Sequence, residues 1–357
     1  MPSMAESQNR CAAPCPEDEI LWRNLYTGQW PDFLARAAQT PCMQRLKQVG
    51  MNCGCEYTAF PRFRRQGGYT RYLHSVGVGA IVWHFTGDPA ASLAGLLHDA
   101  ATPVFAHVVD FLHGDYMAQE STEAGTAHIL AGDTALGQIL EECRLRVEDV
   151  ADYHRWPIAD NPTPQLSADR LEYSLGNMVR YGVADFSAAA RYYGDIAVAR
   201  NEKGEEELCF LHADTALSFA RDALRCSEIY VSPEDRYAMQ MLSELLGCGL
   251  RDGLVTPRDL WGTEPRIIAK WLAEPDYSRR WQTFCALNAM ESAAEKGEGD
   301  GWRQIPAKKR CIDPYVAGQG RVSALDRDFA AALQEFLHRP QDQWLRGGKN
   351  EKNWENS

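Results

Sequence analysis

Apolar residues recur at helical spacing along most of the chain. The clearest run is Arg71 to Asp110, RYLHSVGVGAIVWHFTGDPAASLAGLLHDAATPVFAHVVD. Leu73, Val76, Val78, Ile81 and Val82 predict a mostly buried helix that carries His74. Gly87-Asp88-Pro89 predicts a turn. Residues 90–97 predict a short buried helix that delivers His98 and Asp99. Pro103 is read as restarting a helix through Leu112.

Residues 1–16 read as a flexible tail, polar and broken by Pro14 and Pro16. Pro31 fits the first turn of a helix with DFLARAAQ after it. Thr40-Pro41 opens CMQRLKQV, which Gly50 ends. MNCGCEYTAFPRFRRQGGYT reads as a loop with a short extended piece. Helices are then predicted over 120–130, 136–143 and 147–154. Pro157, Pro162 and Pro164 interrupt the series, and 166–179 resumes it with Asp169 aboard. Ile196 and Val198 alternate, NEKG turns, and Leu208 and Phe210 follow, which predicts a surface β-hairpin.

Further helices are expected over 213–229, 233–246, 264–272 and 278–287. Residues 291–302 are charged and glycine-rich and read as a linker. A basic segment, AKKRCIDPYV, precedes a last helix over 324–337. The fold class expected is all-α: a large helical unit over 17–290 with one small hairpin, then a linker, basic segment and C-terminal helix over 291–340. A loose polar tail is expected over 341–357.

Composition narrows the partners. At 357 residues, 45% hydrophobic and 24% charged, the chain has the make-up of a globular domain. A net charge of -12 argues against wrapping a nucleic-acid backbone, though not against one anionic ligand in a locally basic pocket. No apolar run is long enough for a membrane span, and the N-terminus has no apolar signal core, so a cytoplasmic protein is expected. The 11 cysteines are scattered. Neither Cys11 with Cys15 nor Cys53 with Cys55 makes a C-x-x-C motif, so reduced thiols are expected.

Four of the nine histidines, His74, His84, His98 and His107, fall in the 71–110 run. His74, His98, Asp99 and Asp169 offer two nitrogens and two oxygens from three helices. That donor set suits a divalent ion such as Mn, Fe, Ni, Zn or Mg. Such an ion acidifies water and neutralises charge on a phosphoryl group, and phosphoester hydrolysis needs both. The alternative is a buried hydrogen-bonded cluster without metal, which leaves buried charge poorly compensated. Arg71, three residues before His74, shares its side of the helix and suits either a phosphate contact or a plain ion pair. His84, His113 and His154 read as structural or surface residues.

These segments together resemble the HD-domain superfamily, and within it the deoxynucleoside triphosphate triphosphohydrolase branch. RYLHSVGVG resembles the segment ending in R-x-x-H-S-x-G-V. AGLLHDAATPVFAHVVD resembles A-x-L-L-H-D-x-G-H-x-P-F-S-H-x-x-D. LSADRLEY resembles the segment with the last metal aspartate, and LKQVG resembles the nucleoside-reading segment. The matches lie between residues 40 and 180.

The resemblance implies an HD helical core and a divalent metal on His74, His98, Asp99 and Asp169. It implies catalytic roles for Asp99, His107 and Asp110. It implies that Gln48 and Val49 read the sugar and that Arg71, Arg170 and Tyr173 face phosphate or sugar. Lys308 and Lys309, with Arg310, resemble a late basic phosphate-binding segment. It also implies a small-molecule nucleotide substrate, most simply a deoxynucleoside triphosphate, and a capacity to form homo-oligomers.

Two departures bear on the product. Thr102 stands where the branch has a histidine, and Ser121-Thr122-Glu123 stands for its T-H-E segment. Glu120, Glu123 and His128 are the candidates to fill the missing acid–base role. The departures keep open a nucleoside monophosphatase or signalling-nucleotide hydrolase. A third reading is a nucleotide sensor that kept the pocket and lost turnover.

Overall fold

The computed structural model describes residues 16–64, 68–112 and 125–349. Among them the chain is mainly helical, with seventeen α-helices, and it carries two small sheets of seven strands in all. The all-α expectation holds for the core and is corrected at the periphery. No helix among the described residues is long and apolar enough to cross a membrane.

The core is built on three helices, Arg71–Thr86, Pro89–Leu97 and Ala168–Arg180. Each starts on a side-chain cap. Thr70, Asp88 and Ser167 accept from the backbone N–H of Leu73, Ala91 and Arg170. Gly87, at φ 60°, closes the first helix, its N–H donating to the Trp83 carbonyl. Arg71–Thr86 is buried on every side over its first twelve residues, as a central helix must be. Small residues let its neighbours close in. A Cβ on Gly79 would sit 2.9 Å from Leu96 Cβ, and one on Gly77 would sit 2.5 Å from Glu172 Cγ.

The expected hairpin forms: β1 (Ile196–Arg200) pairs antiparallel with β2 (Glu206–Phe210), Ile196 facing Phe210. It is not an isolated surface ribbon. With β3 (Ala289–Ala293) and β4 (Arg303–Gln304) following in the chain, β5 (Tyr315–Val316) then adds parallel to β2 and β6 (Gly320–Arg321) adds to β5. Arg321 clamps the wholly buried Glu207 at 2.6 and 2.7 Å, fastening this C-terminal piece to the hairpin.

A second sheet has the order β3–β7–β4, where β7 is Trp344–Gly348. Residues 291–302, read as a linker, therefore begin in a strand. Part of the tail expected to be loose is a strand with Leu345 fully buried.

Two helical expectations are corrected. The stretch after Pro103 is helical only over Val108–Leu112. Phe105 and Ala106 have φ of 59° and 48°. Val104 and Phe105 donate their N–H groups to the Leu260 carbonyl and to Glu264 Oε1, so tertiary partners divert the backbone from a helix. The expected helix over 147–154 is one α-helical turn, Val147–Val150, then a 3-10 turn at Tyr153–Arg155. Helix Pro16–Tyr26 starts within the segment read as a tail. The rest of that tail, His113, Glu120 and Ser121-Thr122-Glu123 lie outside the described residues.

Candidate active site

The three core helices bring their polar ends together at the floor of a cavity of about 400 Å3. Arg71, His74, His98, Asp99, His107, Asp169, Arg170 and Tyr173 all line it, as do Lys308 and Lys309. Ligand atoms of His74, His98 and Asp99 lie within 4.8 Å of one another. Asp169 Oδ1 stands 2.9 Å from His74 Nε2 and 3.7 Å from His98 Nε2. The four residues singled out in the sequence are thus neighbours.

Each imidazole is aimed from behind. His98 Nδ1 donates to the Gly95 carbonyl at 2.8 Å. His74 Nδ1 donates to Glu172 Oε2 at 2.6 Å, and that oxygen also accepts from Tyr69 Oη at 2.7 Å. Both Nε2 atoms are left to face the Asp99 and Asp169 carboxylates. Outer hydrogen bonds of this kind fix the tautomer and raise the basicity of metal-ligating histidines. Glu172 went unread in the sequence. The signal was its place three residues after Asp169, one helical turn on.

The electrostatics favour a cation here. Burial disfavours a charged imidazole, yet Asp169 and Glu172 outweigh it and raise His74 to about 10. Burial also raises the Asp99 carboxyl, but Arg71, His98 and His74 hold it well below the usual carboxylate range. The same field that would hold a proton on His74 favours a divalent ion. With two nitrogens and carboxylate oxygens converging, the donor set fits one. His74, His98, Asp99 and Asp169 would hold it.

The structure places the other expected site residues as follows. Gln48 is exposed in a 3-10 turn, and Val49 is fully buried among Leu46, Tyr72 and Val76. Neither lines the cavity; Met51, Asn52 and Cys53 do, because the Gly50 backbone is pinned to Thr70 and Glu264. Asp110 stands behind the cavity wall and accepts from His107 Nδ1 at 3.0 Å. Arg170 spends its guanidinium on Asp160, Ser167 and the Asn161 carbonyl, tying down the 160–167 loop. Lys309 Nζ donates to the carbonyls of Leu337 and Arg339.

Further residues make contacts at or near the cavity. Arg310 Nη2 lies 3.3 Å from His107 Nε2. Burial pushes His107 down to about 4, so near neutral pH its imidazole is uncharged, donating to Asp110 and accepting from Arg310. His154, read as a structural or surface residue, is exposed, and it also lines the cavity and pairs with Asp160 at 2.7 Å. His128 is exposed on helix Thr126–Gly132 and does not line the cavity. Thr102 Oγ1 donates to Asp99 Oδ1 at 2.5 Å, so it orients the carboxylate.

No family model matches the chain. It is 25% identical over 255 residues to the uncharacterized protein YdhJ of Bacillus subtilis, covering 71% of this chain and 75% of that one. It is 25% identical over 310 residues to the metal-dependent phosphohydrolase cns2 of Cordyceps militaris, covering 85% of each. A phosphohydrolase from Bacteroides thetaiotaomicron matches in structure with a TM-score of 0.59 and 15% identity, over 90% of this chain and 97% of that one. A hypothetical protein from Aquifex aeolicus matches with a TM-score of 0.59 and 16% identity, over 89% and 92%. The chain thus has the fold of a solved phosphohydrolase, and at the floor of its cavity it carries a His-His-Asp cluster fit for a divalent metal.

Proposed function

We propose that this chain is a metal-dependent phosphohydrolase that cleaves a phosphoester of a nucleotide. One observation carries the reading. Two oriented imidazoles and two carboxylates meet at a cavity whose lining also holds cations and aromatic rings. Lys308 and Arg310 supply the cations; Tyr153, Tyr173, Tyr181 and Tyr230 supply the rings. A phosphate suits the first and a base suits the second.

A divalent ion on the four ligands would supply an acidified water and neutralise phosphoryl charge. The protein's own part is positioning. Arg71 Nη1 holds Asp99 at 3.1 Å, and its guanidinium lines the cavity, where a phosphate oxygen would meet its charge. His107, uncharged and braced by Asp110, holds Arg310 towards the same space. It orients a cation rather than delivering a proton.

The resemblance favours a deoxynucleoside triphosphate, cleaved to deoxynucleoside and triphosphate. The positions of Gln48 and Val49 favour the second reading, a nucleoside monophosphate or signalling nucleotide, because the residues meant to read the deoxyribose lie off the cavity. Product analysis decides. Purified protein with Mn, Fe, Co or Mg is offered nucleoside mono-, di- and triphosphates and cyclic nucleotides. Inorganic triphosphate supports the first reading and single phosphate the second. Tight nucleotide binding with no product in any metal would replace both with a sensor.

A further inference from the structure

Asp235 is a cavity carboxylate outside the metal cluster, and the Arg310 guanidinium lies within its field. It lies in the first turn of helix Pro233–Arg251 and lines the cavity with Asn52, Tyr181, Tyr230 and Met239. An acid at this position ordinarily completes a helix cap by reaching back to the N–H of the capping serine. Here that N–H, on Ser232, donates to the Ile229 carbonyl at 3.0 Å. Ser232 Oγ accepts from the Asp235 N–H, so the cap is made without the carboxylate. Among the described residues its one hydrogen-bond partner is the Cys55 thiol, 3.5 Å from Oδ2. A thiol is a weak donor, and a carboxylate can accept several bonds.

Tyrosine rings line the cavity with Asp235. The Tyr173 and Tyr181 rings each stand 6.2 Å from that of Tyr230. Their settings are fixed by polar braces: Tyr181 Oη donates to Asn52 Oδ1 at 3.2 Å, and Asn177 Nδ2 donates to Tyr230 Oη at 3.0 Å. Cys53 lines the same cavity as Arg71 and Asp235. Aromatic rings and a carboxylate acceptor in one cavity lining suit a heterocycle that carries its own donors.

We propose that Asp235 reads the base of the nucleotide, and that this base presents two adjacent N–H donors, as guanine alone does among the common bases. The inference rests on the nucleotide reading above. A carboxylate offers two acceptors side by side. Guanine answers with its ring N–H and neighbouring amino group. Adenine and cytosine set an acceptor beside their donor, and uracil and thymine flank one donor with acceptors. Burial raises Asp235 to about 7, and two donors from a ligand would relieve that cost.

The experiment compares kcat/KM for guanosine, deoxyguanosine, inosine, xanthosine and adenosine mono- and triphosphates, in wild type and Asp235→Asn. Wild type is expected to favour guanine over adenine and hypoxanthine by about 10- to 100-fold, the discrimination of a good bidentate pair. Asp235→Asn turns one acceptor into a donor, so guanine should fall by a similar factor while xanthine rises. The rise shows that the variant is folded. Equal turnover of all bases in both proteins would overturn the inference and leave the nucleotide reading intact. A loss confined to ribonucleotides, whatever the base, would also overturn it and assign Asp235 to the sugar diol. No hydrolysis of any nucleotide by wild type would overturn both.

Discussion

Glu172 stands directly behind His74, its Oε2 2.6 Å from Nδ1 and also held by the Tyr69 hydroxyl. This carboxylate is buried, is not among the residues lining the cavity, and sets the direction in which His74 Nε2 points. Glu172→Gln keeps the shape and removes the charge. It should weaken Mn binding about 10- to 100-fold without removing a ligand. Gly77→Ala should act the same way, since its new Cβ would press on Glu172 Cγ. Metal titration followed by fluorescence or calorimetry checks both. Unchanged affinity would reduce Glu172 to a packing residue.

Much of this centre was legible in the chain. The helices carrying His74, His98 and Asp169 announce themselves by apolar runs bounded by Thr70, Asp88 and Ser167, strong local caps. Local signals do not specify long-range pairings. Trp344–Gly348 has little strand character alone and becomes β7 because β3 and β4 supply partners. Nor do they specify where a loop faces. Gln48 and Val49 sit in a matching motif, but the 3-10 turn at Leu46–Gln48 sends one to solvent and one to the core. Lys309 and Arg310 are adjacent basic residues in sequence, and only the fold separates a helix-end brace from a cavity cation.

That separation is testable. Lys309 Nζ satisfies the carbonyls of Leu337 and Arg339 at the end of the last long helix. Lys309→Ala should cost about 1 kcal/mol of stability, the scale of a charged hydrogen bond at a partly exposed helix end. KM should stay within about twofold, since the ammonium serves the helix. Arg310→Ala should do the reverse, raising KM with little change in stability. Denaturant melts and steady-state kinetics on the two variants check the contrast. A large KM effect from Lys309→Ala would contradict it.

His107 makes stability depend on pH. Burial lowers its folded pKa to about 4, below the ordinary value near 6.5. Between those values the unfolded chain binds a proton that the folded chain does not, so stability rises with pH. The contribution is present above about pH 6.5 and is lost as pH falls towards about 4, amounting to ~3 kcal/mol. His107→Gln should flatten this part of the profile relative to wild type. Matching slopes in both proteins from pH 4 to 7 would contradict the buried neutral imidazole.

The central claim is that the His74, His98, Asp99 and Asp169 cluster holds a metal and that hydrolysis depends on it. The most direct measurement pairs metal content with phosphate or triphosphate release from nucleotides, for wild type, His74→Ala and Asp99→Ala, after chelation and Mn reloading. The account predicts that wild type regains metal and turnover together. Both variants should fail to reload and should lose activity by about a thousandfold or more. Full turnover in chelated wild type, or in Asp99→Ala, would contradict it.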